Sequence, residues 1–253
     1  MVACRLCNSE VALVKAHAIP EAFFREIRDE QQRLLLIAGG AKHYPRKAPI
    51  GVYDRNILCA ECEPKFGPID DYGVDVLLRR FDHFFRPVAY GGEALAFSSS
   101  TADANRILRF LVSVLWRASV SKEVFYRRVN LGPIEDAARA AVIDRRGSIA
   151  SDFDAVFSRW SEWSDPDTTS TGILNPHRER WDGINAYRIY LGHLVAYIKV
   201  DRRPFMSPFD ALSLRSAPPI WTLVREFAGS KDMAVMKRTA ELCELNRRRR
   251  ARV

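Results

Sequence analysis

The chain has 253 residues and is 47% hydrophobic, enough to bury the core of one large domain or two small ones. No apolar run reaches the ~18 residues of a membrane-spanning helix. The N-terminal "MVACRLCNSE" lacks a basic-then-apolar signal pattern, so the expected compartment is the cytoplasm, with no membrane partner. A net charge of +8 suits a polyanionic partner such as nucleic acid, though many basic proteins bind nothing acidic.

From the N-terminus, "CRLC" sets Cys4 and Cys7 three apart. "LVKAHAIP" predicts a short strand, because it starts apolar and β-branched and Pro20 stops it. Pro20 then opens a predicted helix, "EAFFREIRDEQQ". "RLLLIAGG" predicts a second strand ended by Gly39 and Gly40. "AKHYPRK" is a basic loop carrying His43. "NILCAECEPKF" brings the second pair, Cys59 and Cys62, with Asn56 before it and Glu63 after it. A helix is predicted soon after Cys62.

Two CxxC knuckles supply four thiolates, the tetrahedral donor set of a structural zinc. Reduced thiols in the cytoplasm favour metal binding over disulfides. A redox dithiol is the other reading, but no thioredoxin-like pattern accompanies either pair. The metal would tie the N-terminus to residue 62 across a long insertion. Cys243 falls on one helical stripe with Met233, Met236 and Ala240, so it is expected in the core.

The order CxxC, "AHAIP", "NILCAEC", then a polar residue and "KF" resembles the HNH, or ββα-metal, nuclease family. The resemblance covers residues 1 to about 75. It implies that His17 is the general base that activates water against a phosphodiester, or in some branches a metal ligand. It implies that Asn56 fixes the loop and orients the histidine. Glu63 stands where the family's last histidine stands, and Ala16 where many members carry a metal-binding aspartate. Glu63 could still hold Mg²⁺ or Mn²⁺ through oxygen, with Asp54 and Glu21 close in sequence to help. The residues themselves leave a second reading open: His17 packs inside the zinc module, Asn56 caps a turn, and Glu63 caps the following helix.

Further along, "YGGEALAFSSSTADAN" reads as a linker. Ile107, Phe110, Leu111, Val114, Leu115 and Ala118 then mark a helix with Asp103 as N-cap, and Arg106, Arg109 and Arg117 lie off its apolar face. A second helix is expected from Pro133 to about Asp144 and a third over "SDFDAVFSRWSEW". "NAYRIYL" and "LVAYIKVD" read as a β-hairpin joined at Gly192-His193, "PPIWTLVREFAG" adds a strand, and a final helix starts near Ser230. The terminal "RRRRARV" reads as a solvated basic tail that could contact phosphates. His83, His177 and His193 show no ligand spacing.

The expected fold is therefore α+β. A zinc-stapled, HNH-like (treble-clef, ββα) module spans 1–90 and a linker 91–105. A mainly helical domain with a β-hairpin near 185–200 spans 106–245, and a basic tail 246–253. The expected function is an HNH-like metal-dependent endonuclease with structural Zn²⁺ and a catalytic Mg²⁺ or Mn²⁺. The alternative is a non-catalytic zinc-binding protein whose degenerate HNH scaffold binds nucleic acid or a protein. Attachment to a membrane surface through the basic tail has no amphipathic basic helix behind it.

Overall fold

The computed structural model describes residues 2–27, 35–37, 46–48, 50–161 and 172–250. The first strand, β1 (Leu13–His17), stops short of Pro20, whose fixed φ opens the helix α1 (Glu21–Glu26). The rest of the helix expected there, beyond Ile27, lies outside the described residues, as does the basic loop around His43. Short strands β2 (Leu35–Ile37) and β3 (Arg46–Lys47) precede β4 (Tyr53–Cys59). A 3₁₀ turn (Glu63–Phe66) runs into α2 (Gly67–Val74), a wider π turn (Asp75–Arg79) and α3 (Phe81–Phe84).

Next come β5 (Arg86–Tyr90) and β6 (Glu93–Ser99), then the long α4 (Ala104–Val120) and α5 (Glu135–Ile143). Asp103 caps α4 as expected, accepting from the Arg106 amide at 3.0 Å. The chain continues through β7 (Phe153–Trp160), β8 (Gly172–Leu174), β9 (His177–Trp181), β10 (Ile184–Leu191), β11 (Leu194–Val200) and β12 (Ile220–Arg225) to α6 (Lys231–Arg250).

Three sheets result among the described residues. β1 and β4 pair antiparallel, with Ala16 opposite Asp54 and His17 opposite Tyr53. A three-stranded sheet has the order β3-β2-β8. A seven-stranded sheet has the order β5-β6-β12-β7-β11-β10-β9, antiparallel except where β12 meets β7. The β10–β11 hairpin turns at Gly192, whose φ of 63° fits a residue without Cβ.

The chain is α+β, but its second half is not mainly helical, because the large sheet dominates it. "SDFDAVFSRW" is the central strand β7, not a helix. Nearly every residue of β7 is buried on both faces, which erases the alternation that marks a half-buried strand. The segment read as a linker carries β6, which pairs with both β5 and β12. One hydrophobic core runs from Cys4 through α4 to Met236, joining the module expected over 1–90 to the rest. The expected tail is also shorter, since α6 continues through Arg250.

α4 explains the joining. It packs against α2 and α5 and under β7 and β11, so it is buried nearly all round. Arg109 and Arg117, expected off the apolar face, are buried at 5% and 3% exposure. Arg109 donates to the carbonyls of Ala141, Asp144 and Gly147, satisfying acceptors where α5 ends. Arg117 forks onto Asp70 of α2 at 2.7 and 2.5 Å and donates to the His17 carbonyl at 2.9 Å.

Candidate metal centre and adjoining sheet face

The two knuckles sit at the two ends of the β1–β4 sheet's connections. After Cys4 the chain turns tightly, with the Asn8 amide donating to the Cys4 carbonyl and Asn8 itself at a φ of 62°. The Arg5 amide donates to Ile57 O of β4 at 2.8 Å, which sets the first knuckle beside the second. β4 ends at Cys59, and the Cys62 amide donates back to Cys59 O at 3.1 Å as the chain enters the 3₁₀ turn.

Cys4, Cys7, Cys59 and Cys62 thus converge, with all four sulfurs within 4.8 Å of one another. Cys7 and Cys59 sulfurs are 3.9 Å apart, and none of the four forms a disulfide. Zinc–sulfur bonds of about 2.3 Å in a tetrahedron set the sulfurs about 3.8 Å apart, so this cluster fits such an ion. Three of the thiols are buried and Cys7 is exposed. Four thiolates exceed the charge of a divalent ion. The Cys59 amide, 3.4 Å from Cys4 Sγ, and Lys65 Nζ, 3.9 Å from Cys62 Sγ, offset the surplus.

Hydrogen bonds from the Ser9 side chain and backbone pull the Cys7 thiol down to about 6. Burial and the neighbouring sulfurs push Cys62 up, and a bound cation would favour its thiolate. Packing fixes the site from beneath. Phe66, in the turn after the second knuckle, stacks on Trp116 of α4 at 5.9 Å, and Arg139 of α5 donates to Leu6 O of the first knuckle at 2.9 Å.

The residues expected to do chemistry separate into two groups. His17 ends β1, half-buried, with Nε2 3.0 Å from the Ile50 carbonyl and its ring edge-on to Tyr53. Burial holds its imidazole below the ordinary histidine value, against the opposing pull of Ile50 O and the Glu21 charge. Asn56 is exposed, and its side chain donates to Asp54 Oδ1 at 3.2 Å. Glu63 starts the 3₁₀ turn after Cys62, where a carboxylate faces free amides.

Asp54, opposite Ala16, is fully engaged. It is 2% exposed and accepts from Ser121 Oγ and the Lys122 amide at 2.8 Å, and from the Asn56 amide. Burial alone would raise its carboxyl. These hydrogen bonds overturn that and hold it below the ordinary carboxylate range. Among the described residues the four cysteines are the only group of three or more potential ligands. Glu63 and His17 join no such group.

Sequence reading missed the outer face of the small sheet. Lys15 Nζ lies 4.1 Å from the Tyr53 ring centre, and the Arg55 guanidinium lies 5.8 Å from it. Both cations are exposed, and both share that ring with His17. The opposite side carries buried Ala16 and Asp54. The signal was present as alternation: Tyr53 and Arg55 are two apart, flanking the inward Asp54. His83 is exposed on α3, whereas His177 and His193 lie near Glu179 and Glu26.

No protein-family model, curated protein or solved structure matches this chain. No helix among the described residues is long and apolar enough to cross a membrane.

Proposed function

We propose that the N-terminal region is a zinc-stapled, HNH-like module, and that the protein is an endonuclease that hydrolyses phosphodiester bonds with His17 as general base. The observation that carries this reading is the bond from His17 to Ile50. A carbonyl only accepts, so Nε2 must hold the proton. A neutral ring then keeps its lone pair on Nδ1, free to take a proton from water. Burial favours that neutral form at pH 7. Lys15 and Arg55, held on Tyr53, supply positive charge on the same face for a phosphate backbone.

Zinc fits the four cysteines, where it would hold the fold. A catalytic Mg²⁺ or Mn²⁺ finds no comparable ligand set, since Asp54 is spent on Ser121 and Lys122 and Glu63 stands alone. No step is therefore assigned to a second ion. In this scheme His17 removes the proton from the attacking water, and the two cations meet the charge that builds on phosphorus-bound oxygen.

One observation favours the non-catalytic alternative, a scaffold that binds nucleic acid without cutting it. Asn56, expected to orient His17, turns to Asp54 instead. Comparing wild type with His17→Ala separates the two. An endonuclease loses cleavage in the variant while keeping binding. A scaffold binds equally in both proteins and cuts in neither.

A further inference from the structure

A small cavity of about 140 Å³ lies where the turn of the β10–β11 hairpin meets the end of α1, the π turn and α3. That volume holds about six to eight non-hydrogen atoms, too few for a nucleotide. The floor is apolar, with Leu77, Phe81, Leu191 and Leu194 buried there. The mouth is charged. Glu26 of α1 and Asp82 of α3 are exposed, and Arg159 of β7 and His193 of the hairpin turn are half-buried. Strand register puts the sheet's share of the lining on one face: Leu194 pairs with both Leu191 and Arg159, so these three side chains leave the sheet on the same side. A Cβ on Gly192 would stand 3.5 Å from Glu26 Cγ and 3.8 Å from Leu78 Cδ1, so the hairpin turn closes directly on α1 and the π turn.

Charges of both signs line this mouth without joining. The Arg159 guanidinium lies 4.4 Å from the Phe81 ring centre and 5.6 Å from that of Phe97, and it forms no ion pair among the described residues. Stacking of this kind leaves the edge of the guanidinium open to a carboxylate. The Asp82 carboxylate forms no ion pair among the described residues either, and Glu26 has only a long contact of 3.9 Å to His193. Burial holds the His193 imidazole below its ordinary value, so it leaves the Glu26 charge uncancelled at neutral pH. One cavity therefore offers an open cation, two open carboxylates and an apolar floor.

We propose that this cavity binds a free α-amino acid with a small apolar side chain. Arg159 takes the carboxylate, Glu26 and Asp82 take the ammonium, and the side chain enters between Phe81, Leu191 and Leu194. Both charges sit on one carbon only in a free amino acid, so a residue inside a peptide does not qualify. The charged groups stay at the mouth, where water still reaches them, and only the apolar end is fully enclosed. The site is independent of the endonuclease reading and stands if that reading fails.

Calorimetric titration of the full chain with L-valine tests the assignment. Isobutylamine, which is valine without its carboxylate, and 3-methylbutanoate, which is valine without its ammonium, are the controls. L-Valine should bind at a single site, and each control about tenfold or more weakly, because each loses a charge-assisted contact. Arg159→Gln should weaken valine by about tenfold or more and leave isobutylamine unchanged. Asp82→Asn, at an exposed position where no fold contact is lost, should weaken valine and leave 3-methylbutanoate unchanged. Thermal unfolding of both variants checks that they remain folded. If L-valine does not bind at millimolar concentration, if either control binds as tightly as valine, or if both variants bind valine as wild type does, the assignment is wrong.

Discussion

Asp54 shows how one buried carboxylate can organise a site without performing its chemistry. It ties β4 to the end of α4 through Ser121 and Lys122 and holds Asn56 as well. Asp54→Ala leaves buried donors without an acceptor and should cost about 2–4 kcal/mol in chemical denaturation. Its depressed pKa adds a pH dependence: this stability is present above the unfolded carboxyl value of about 3.9 and is lost as pH falls below it. His17 and His193 act at a higher pH. Burial holds both below their ordinary value, so the unfolded chain takes up protons first on acidification. Their contribution is complete above about pH 6.5 and is lost as pH falls through the folded values. The melting temperature should therefore fall below about pH 6.5 in wild type, and less steeply in His193→Gln.

At the scale of elements, α4 is the part that the rest leans on. Its Arg117 holds α2 through Asp70 and β1 through the His17 carbonyl. Arg117→Met keeps the bulk but strands a carboxylate that retains only one-fifth of its exposure. The loss should be roughly 3 kcal/mol, measured by denaturant unfolding. The sequence showed α4 plainly, because its apolar residues recur at helical spacing, and its Asp103 cap could be named from type alone. It could not show that Arg109 and Arg117 are inside, because their partners are carbonyls and a carboxylate distant along the chain. β7 failed for a related reason, since burial on both faces removes the period-two signal. The β10–β11 hairpin succeeded because Gly192 marks the turn between two aromatic, β-branched runs.

For the whole molecule, the shared core matters more than the apparent boundary near residue 90. The four cysteines were legible because CxxC spacing is local chemistry. The continuity of the core from Cys4 to Met236 was not, because it is made by contacts across the chain. A fragment of residues 1–90 lacks α4 and the two residues after it, which cover the inner side of the β1–β4 sheet through Arg117, Ser121 and Lys122. That fragment should stay unfolded by circular dichroism even with zinc supplied. In the full chain, a strong chelator should remove one zinc ion and lower the melting temperature, and Cys59→Ser should do the same without chelator. Metal analysis beside a thermal melt checks both.

The central claim is that His17, held neutral with its proton on Nε2, is a base for phosphodiester hydrolysis. Its most direct test is a cleavage assay of wild type and His17→Ala on plasmid DNA and single-stranded RNA, in EDTA, Mg²⁺ and Mn²⁺. The account predicts cutting by wild type and at least a hundredfold less by His17→Ala, the order expected when a general base is removed, with both proteins retaining zinc and staying folded at the assay temperature. Zinc-loaded wild type that cuts neither substrate under any of these conditions, or His17→Ala that cuts as fast as wild type, would contradict it.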